Sequence, residues 1–579
     1  MTSEPRRATF RMPERLFAEL AAGGGSAEAV AFLERGERAR RLLLLRTLLD
    51  CLDALPTPLS PTAEAWQVVK EAAARAPEPV DRLLLAPATG GWIAHVLRRV
   101  HGTAAGPPLW AEAGHLGALA VSASLHAGTE ACLGVPLTDG GLSLPGLGLA
   151  RLPEAEPGLT VGRAVTRAGL LTLTGPGRDG TSSCLTIRPA TAPVRGAGER
   201  SGNDLPDSGP HSATSRWLPL RTLTHHGPAG PVSLPLDDLD PYRDLDDPIA
   251  PARLEDAEAE AWQRLFEQAV ELLAGDAGPG RLDPAALRSI APWGRTTTLP
   301  PAPPTVRVSA SSGDSYGGMV IARPACALAL AETLVHEFQH SKLAALLHLF
   351  PLLDDDREER YYAPWRADPR HLTGLLHGAY AFTGVAGFWS DRLADAQDER
   401  TADTAGYHFA LRRTQSRLVV RTLLTSGRLT AQGRALVSGL AGTLDGWLRR
   451  PVPPAALSRA RAAAALHRTE WRLRNVVPPS SPAGPARDAL RFRADRTLWP
   501  DVRTHAFAAR PTAPRTPDEH LAAGDPAAAL AGYAEALADD PSGPHALAGW
   551  IVARSVLEPG RETRRMLARP ELLQPLPSS

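Results

Sequence analysis

The sequence predicts an α+β fold that is predominantly helical. Two long stretches, 13–100 and 380–474, carry apolar residues at the three- and four-residue spacing of amphipathic helices. Between them, from about 116 to 189, short apolar runs are broken by glycine and proline, as in strands joined by tight turns. A chain of 579 residues is too long for one compact core, so we expect roughly two to four domains.

The charge and cysteine content of the chain indicate which classes of partner and which compartment to expect. The chain has 63 basic and 63 acidic side chains, so its formal charge favours neither nucleic acid nor an anionic membrane as a partner. No apolar stretch reaches the length of about 18 residues that a membrane span needs. The cysteines are widely separated and form no CxxC pair: Cys51, Cys132, Cys184 and Cys326. These features predict a soluble protein of the reducing cytoplasm.

We divide the chain into consecutive regions on these patterns. A helical N-terminal region covers 1–115, and a β-rich middle section covers 116–300. Within the middle section, 195–216 is polar and rich in glycine and serine, which predicts a flexible loop. A helical metal-binding core covers 301–476. A Pro- and Ser-rich break then leads to a small helical C-terminal region at 486–579.

Two local patterns add detail to this division. Residues 305–310 and 317–322 alternate as two strands of a hairpin that leads into the next helix. Residues 517–556 resemble a single tetratricopeptide-type helical hairpin. One such repeat cannot bury its own apolar face, so it must dock on the rest of the chain or on a partner. A helical cap and a peptide-binding module are both open interpretations of this tail.

The most informative motif is the pentapeptide His336-Glu337-Phe338-Gln339-His340. It lies inside an apolar run, 325–350, that has helix length and a proline close to each end. Two histidines four residues apart project from one face of a helix, so both imidazoles can bind one metal ion. Glu337, between them, is placed to act on a metal-bound water or on substrate.

A metal ion held by two histidines needs at least one more ligand, and we favour His377. It lies in an apolar setting at the start of another predicted helix, where an imidazole without a partner would be costly. A core histidine bound to a backbone carbonyl is the alternative. Further candidate ligands follow the same motif: Asp354, Asp355, Asp356, Glu358, Glu359, His371 and Glu399.

The segment 360–370 concentrates arginines and large aromatic residues between the candidate ligands. Guanidinium groups bind carboxylates through two parallel hydrogen bonds, and a tyrosine hydroxyl can add a third. Arg366, Arg370 and Tyr362 are therefore candidates for binding an organic acid cosubstrate or a peptide carboxylate. In the alternative interpretation, the arginines pair with the acidic residues of 354–359 and only fix the loop.

The identity of the metal separates two mechanisms. Zinc with an open coordination position would activate a water, and Glu337 would take its proton, as in a metallopeptidase. Fe(II) bound by two histidines and one further ligand leaves positions for a chelating cosubstrate and dioxygen, as in facial-triad oxygenases. The HExxH motif by itself does not decide between them.

Four blocks, 309–312, 331–343, 360–370 and 374–389, resemble the bacterial HExxH-motif proteins of ribosomal-peptide (RiPP) maturation clusters. Members of that family are iron- and 2-oxoglutarate-dependent peptide β-hydroxylases. The likeness is close over about 305–390. It does not include the C-terminal tail.

The resemblance implies Fe(II) and 2-oxoglutarate as cofactors, with His336 and His340 as iron ligands. It also implies that 360–370 belongs to the active site and that a precursor peptide is the substrate. Other peptide-maturation enzymes are the further partners it implies. In such a mechanism Glu337 need not be a general base and can instead orient a ligand or an iron-bound water. A zinc metallopeptidase acting on a peptide and a non-catalytic peptide-maturation partner are the alternative functions.

Overall fold

The computed structural model describes residues 11–190, 216–227, 230–245, 247–273, 277–293, 308–477, 491–493 and 506–574. The chain divides into two compact units. The first unit is formed by Met1–Phe32, Ala274–Asp283 and Glu332–Ser579, and the second by Leu33–Leu273 and Pro284–Ala331. Each unit combines segments that lie far apart in the chain, whereas the regions predicted from sequence are consecutive. The loop predicted at 195–216 lies, apart from its last residue, outside the described residues.

Helices dominate the described residues, as the sequence predicts. In chain order they are α1 (Glu14–Ala21), α2 (Ala27–Leu52), α3 (Thr62–Arg75), α4 (Pro77–Leu85), α5 (Pro87–Val100), α6 (Leu109–Ala113), α7 (His115–Ala127), α8 (Asp256–Glu271), α9 (Ala327–Leu349), α10 (Leu372–Ala394), α11 (Glu399–Thr425), α12 (Ala431–Leu448), α13 (Pro454–Asn475), α14 (Pro517–Ala523), α15 (Pro526–Asp539), α16 (Pro544–Leu557) and α17 (Arg561–Ala568). The mixed α+β class is therefore confirmed.

The strands form two sheets, both in the second unit. They are β1 (Ala131–Thr138), β2 (Gly141–Leu144), β3 (Gly148–Arg151), β4 (Leu159–Arg167), β5 (Leu170–Pro176), β6 (Ser182–Ile187), β7 (Trp217–Pro219), β8 (Arg221–Gly227), β9 (Gly230–Leu236), β10 (Ser289–Pro292), β11 (Ser309–Ala310) and β12 (Gly318–Ile321). The seven-stranded sheet has the order β6-β5-β4-β1-β2-β3-β7, and the five-stranded sheet has the order β11-β12-β10-β9-β8.

The seven-stranded sheet confirms the β-rich middle section. Its strands coincide with the short apolar runs, and neighbouring strands pair antiparallel. Along β1 burial alternates, so Leu133, Val135 and Leu137 face a core that also contains residues of α3 and α7. Cys132 and Gly134 face the opposite side of the sheet. This alternation is the period of two that a strand with one buried face requires.

Two local predictions within the middle section were wrong. Residues 116–127 belong to the helix α7 and not to a strand. Nearly all of its side chains are buried, and a helix that is apolar on every side lacks the periodic pattern that reveals a helix in sequence. Residues 232–242 mix proline, aspartate and leucine, which predicts an ordered loop. The first part of this segment, 232–236, instead belongs to β9, where Pro231 and Pro235 hid the strand signal. These prolines are tolerated because β9 joins β10 only at Leu236 and Ile290.

The hairpin before the motif helix is present in the described residues. Ser309 pairs with Ile321 and Ala310 with Val320, in antiparallel register. The part of the predicted first strand before residue 308 lies outside the described residues. The motif helix itself, α9, begins and ends within two residues of the predicted apolar run.

The first unit is helical. The helices α11, α13, α14, α15 and α16 share a buried core that includes Tyr407, Leu466, Leu521, Tyr533 and Val552. The apolar side of the C-terminal helices is thus covered by other helices of the same chain. The resemblance of residues 517–556 to a tetratricopeptide hairpin stays a prediction. Among the described residues, no helix combines the length and apolar character needed to cross a membrane.

Candidate metal centre

Helix α9 brings His336 and His340 together on one face, as the motif predicts. The Nε2 atoms of the two rings are 3.1 Å apart, and the ring planes are nearly perpendicular, at 80°. The surrounding residues of α9 are almost all buried, while the two histidines are only partly covered. A four-residue spacing in a helix places both side chains above one another, so this proximity follows from the local sequence.

The distance between the two Nε2 atoms suits a shared metal ion. Metal–nitrogen bonds to histidine are about 2.0–2.1 Å long, so two ligands at a tetrahedral angle are about 3.3 Å apart and two at a right angle about 2.9 Å apart. The separation of 3.1 Å between His336 and His340 lies between these values. The donor set of these two residues therefore fits two cis ligands of one ion.

The third predicted ligand, His377, joins the cluster from the first half of α10. Its Nδ1 atom lies 3.4 Å from Nδ1 of His340, whereas His336 faces the opposite ring nitrogen, Nε2. One ion cannot occupy both sides of an imidazole ring. Within the described residues, no group of three or more His, Cys, Asp and Glu side chains is arranged to hold a metal ion. The role of His377 as a ligand stays a prediction.

Burial lowers the pKa of all three imidazoles, which favours the neutral ring. It lowers the pKa of His336, an effect that the nearby Glu337 carboxylate opposes and the Arg412 guanidinium reinforces. Burial, together with the neighbouring His336 and His377 rings, lowers the pKa of His340 well below its usual value. Burial lowers the pKa of His377 to about 4. Metals bind the neutral imidazole, so these side chains need not lose a proton first.

Glu337 is the most deeply buried polar residue of the motif. The residue is 1% exposed, and the Glu337 carboxylate partly opposes the lowering of the His336 pKa by burial. A buried carboxylate beside a candidate metal ligand suits either of the predicted roles, proton transfer or the orientation of a bound ligand.

An aromatic wall closes one side of the histidine pair. The Phe382 ring centroid is 4.8 Å from that of His336, and the Trp365 ring lies 4.7 Å from Phe382. Trp365 can approach α10 so closely because Gly378 has no side chain. A Cβ atom at Gly378 would lie 2.2 Å from the Trp365 ring. Through Trp365, the predicted active-site loop at 360–370 reaches the cluster.

The predicted carboxylate-binding residues have partners inside or beside that loop. Arg366 pairs with Asp368 at 2.8 Å, and its side chain is 47% exposed. Arg370 approaches the same carboxylate at 3.4 Å. The Tyr362 hydroxyl lies 2.8 Å from Nδ1 of His467 on α13. Arg366 and Arg370 thus bind an acid of their own loop and not those of 354–359, so neither original interpretation describes them fully.

The loop is held in place by two helices of the first unit. The Gln415 side chain on α11 donates to the Pro364 carbonyl at 2.9 Å. The Asn475 side chain at the end of α13 donates to the Ala367 carbonyl at 2.8 Å. Side-chain amides that bind main-chain carbonyls fix a loop without regular structure. The position of Trp365 therefore depends on contacts that other helices make with the loop, and not on the local sequence of the loop.

Arg412 on α11 is a further candidate functional residue that the sequence did not predict. Its guanidinium carbon lies 4.5 Å from the Phe382 ring centroid, and its charge lowers the pKa of His336. In the sequence it is one arginine among many in a long helix. It approaches the motif only because α10 and α11 pack side by side. No signal in the local sequence distinguishes it.

Comparison with known proteins does not identify this centre. The chain matches no protein-family model, and it matches no curated protein sequence. The distances, burial and charges around His336 and His340 are therefore the basis for interpreting the site.

Proposed function

We propose that this protein is an Fe(II)- and 2-oxoglutarate-dependent peptide β-hydroxylase in which His336 and His340 hold the metal. The observation that carries the proposal is the pair of facing Nε2 atoms, 3.1 Å apart on one buried helix. The likeness to the HExxH peptide hydroxylases supports iron and 2-oxoglutarate over other metal chemistry. A ribosomally made precursor peptide is the proposed substrate.

The residues around the pair have separable tasks in this proposal. Bound iron would supply the oxidation of an unactivated C–H bond with dioxygen and 2-oxoglutarate. His336 and His340 hold the metal in their neutral forms. His377 is the proposed third ligand, but in the described geometry it lies on the Nδ1 side of His340, so it would have to turn toward the metal side to bind the same ion. Phe382 and Trp365 exclude water from one side of the site. Glu337 holds the orientation of a ligand through its buried carboxylate.

Arg412 is the better-placed partner for the carboxylate of 2-oxoglutarate. Its guanidinium lies over Phe382, the ring that contacts His336. Arg366 is nearly half exposed and pairs with the Asp368 carboxylate, whereas Arg412 is less exposed and donates to the uncharged Gln415 side chain at 3.0 Å. A guanidinium in a partly buried setting binds a carboxylate more strongly than one in water, because competing solvent is excluded. Arg366, Arg370 and Tyr362 remain secondary candidates for this role.

A zinc metallopeptidase is the second candidate function. The burial of Glu337 next to His336 favours it, since a desolvated carboxylate beside a metal ligand suits a general base. The spacing of the two Nε2 atoms suits zinc as well as iron. The two candidates differ in metal, cosubstrate and product, so one assay separates them.

The test is to reconstitute the full-length protein without oxygen, with Fe(II) or Zn(II), and then to add 2-oxoglutarate, peptide and air. We expect succinate only with iron. His340→Ala should lose metal binding, measured by calorimetry, and succinate formation. His348→Ala is the matched control, because His348 lies on the same helix but is exposed, and it should behave like the unaltered protein.

Three outcomes would contradict the proposal. Peptide cleavage that requires zinc, without succinate in any sample, would establish the peptidase. Failure of the unaltered protein to bind either metal would exclude a metal centre at His336 and His340. A metal-free protein that still binds precursor peptide would point to a non-catalytic maturation partner.

A further inference from the structure

A groove of about 780 Å³ opens on the outward face of the seven-stranded sheet. Strands β1, β4, β5 and β6 line it, together with the segment 58–64 that precedes and begins α3. All of these residues belong to the second unit, whereas the histidine cluster belongs to the first. Ligand-binding clefts typically measure about 300–1,000 Å³. The volume therefore suits a small organic ligand or a short stretch of polymer.

The floor of the groove spans four neighbouring strands. Arg163 of β4 lies opposite Gly134 of β1 and Thr174 of β5. Cys132 of β1 and Ser182 of β6 also line the floor, each two residues away from that row. Neighbouring strands are about 4.8 Å apart, so three spacings give a floor about 14 Å long. An extended peptide advances about 3.3 Å per residue, so about four residues fit.

One wall of the groove is held in a fixed position. The Gly134 amide of β1 donates to the Ser60 hydroxyl at 3.0 Å, and prolines at positions 58 and 61 flank this contact. A Cβ atom at Gly134 would lie 3.0 Å from the Ser60 nitrogen, so a glycine is needed for this close approach. A cleft whose walls are fixed before binding costs less conformational entropy when a ligand enters.

The chemistry of the lining favours a peptide. Arg163 donates from Nε to the Cys132 thiol at 3.0 Å, which holds the guanidinium over the floor. The described lining has one basic and one acidic side chain, Arg163 and Glu64. The hydroxyls of Thr174, Thr181 and Ser182 supply donors and acceptors that match peptide amides. No aromatic side chain is among the described lining residues, so the groove has no platform on which a nucleobase could stack.

We propose that this groove binds an extended peptide segment of about four residues, with a carboxylate of the peptide on the Arg163 guanidinium. Arginine binds carboxylates through a charge-assisted pair of hydrogen bonds, and the hydroxyls along the floor bind the peptide backbone. The proposal does not depend on the metal centre, because no residue of the groove belongs to the histidine cluster.

The cysteines allow a direct test by alkylation with iodoacetamide and peptide mass mapping. Cys132 lines the groove. Cys326 is also exposed but lies just before α9, away from the seven-stranded sheet and outside the lining, so it is the internal control. The probe is acetyl-tetra-alanine with a free C-terminal carboxylate. At about ten times its Kd, simple occupancy predicts that alkylation of Cys132 slows roughly tenfold, with Cys326 unchanged.

Two variants and two further probes complete the experiment. Arg163→Gln should abolish the protection of Cys132, measured for each variant as the ratio of rates with and without peptide. Arg167→Gln is the matched control, since Arg167 lies on the same face of β4 outside the groove lining, and it should keep the protection. The C-terminally amidated peptide should protect far less. No protection at any soluble peptide concentration, equal protection of Cys132 and Cys326, or equal protection by inorganic phosphate would overturn the proposal.

Discussion

Gly378 lets Trp365 pack directly onto α10, and its replacement by alanine tests the geometry of the loop beside the metal centre. The added Cβ would lie 2.2 Å from Cζ2 and 2.4 Å from Cε2 of Trp365. Carbon atoms in contact prefer about 3.5–4.0 Å, so the indole must move by more than about 1 Å. Such overpacking costs about 1–3 kcal/mol. Alanine has a higher helix propensity than glycine, which stabilises the helix by about 1 kcal/mol and offsets part of that cost.

A second glycine in a helix separates these two effects. Gly442 on α12 has no atom within 4 Å of an added Cβ, so Gly442→Ala should stabilise the protein by about 1 kcal/mol. The difference between the two variants then isolates the overpacking, about 1–3 kcal/mol. Urea unfolding followed by circular dichroism measures both free energies of unfolding, provided that the transition is two-state.

The double variant Gly378→Ala with Trp365→Ala identifies the source of the cost. If the clash with Trp365 causes the loss, the alanine at position 378 should be harmless once the indole is absent, so a double-mutant cycle should show strong coupling. Equal free energies of unfolding for Gly378→Ala and Gly442→Ala would refute the packing of Trp365 on α10.

Three further predictions concern charged side chains. Arg412→Gln should raise the KM for 2-oxoglutarate by about tenfold or more, because a charge-assisted hydrogen bond contributes about 1.5–3 kcal/mol. Arg366→Gln serves as the comparison, and a larger increase in KM for Arg366→Gln would reverse our assignment. Glu337→Gln should weaken succinate formation in the iron-loaded protein without abolishing it, and complete loss in an iron-replete sample would contradict the orienting role. Burial lowers the pKa of Lys342 from 10.5 to about 7. Between these two pH values the unfolded chain therefore binds more protons than the folded chain, so the free energy of unfolding should rise with pH across this window. Lys342→Met should remove that rise, measured by urea unfolding at several pH values, and parallel pH profiles would contradict it.

The local elements were largely predictable from sequence, and the failures have physical causes. An apolar run of helix length with a proline near each end identified α9, and alternation identified the hairpin of β11 and β12. The signal failed in α7, which is buried on all sides, and in β9, whose prolines resemble a loop. Both segments are defined by their neighbours, since a fully buried helix and an interrupted strand need tertiary contacts to be stable.

The proximity of His336 and His340 was determined by the sequence alone, because a spacing of four residues places two side chains on one face of any α-helix. The surroundings of that pair were decided only by the tertiary structure. Arg412 comes from another helix, and Trp365 fits because Gly378 leaves room for it. Contacts between elements depend on how whole surfaces pack, and no local pattern encodes them. The sequence therefore specified the candidate ligands, and the packing of α10, α11 and the loop specified what lies around them.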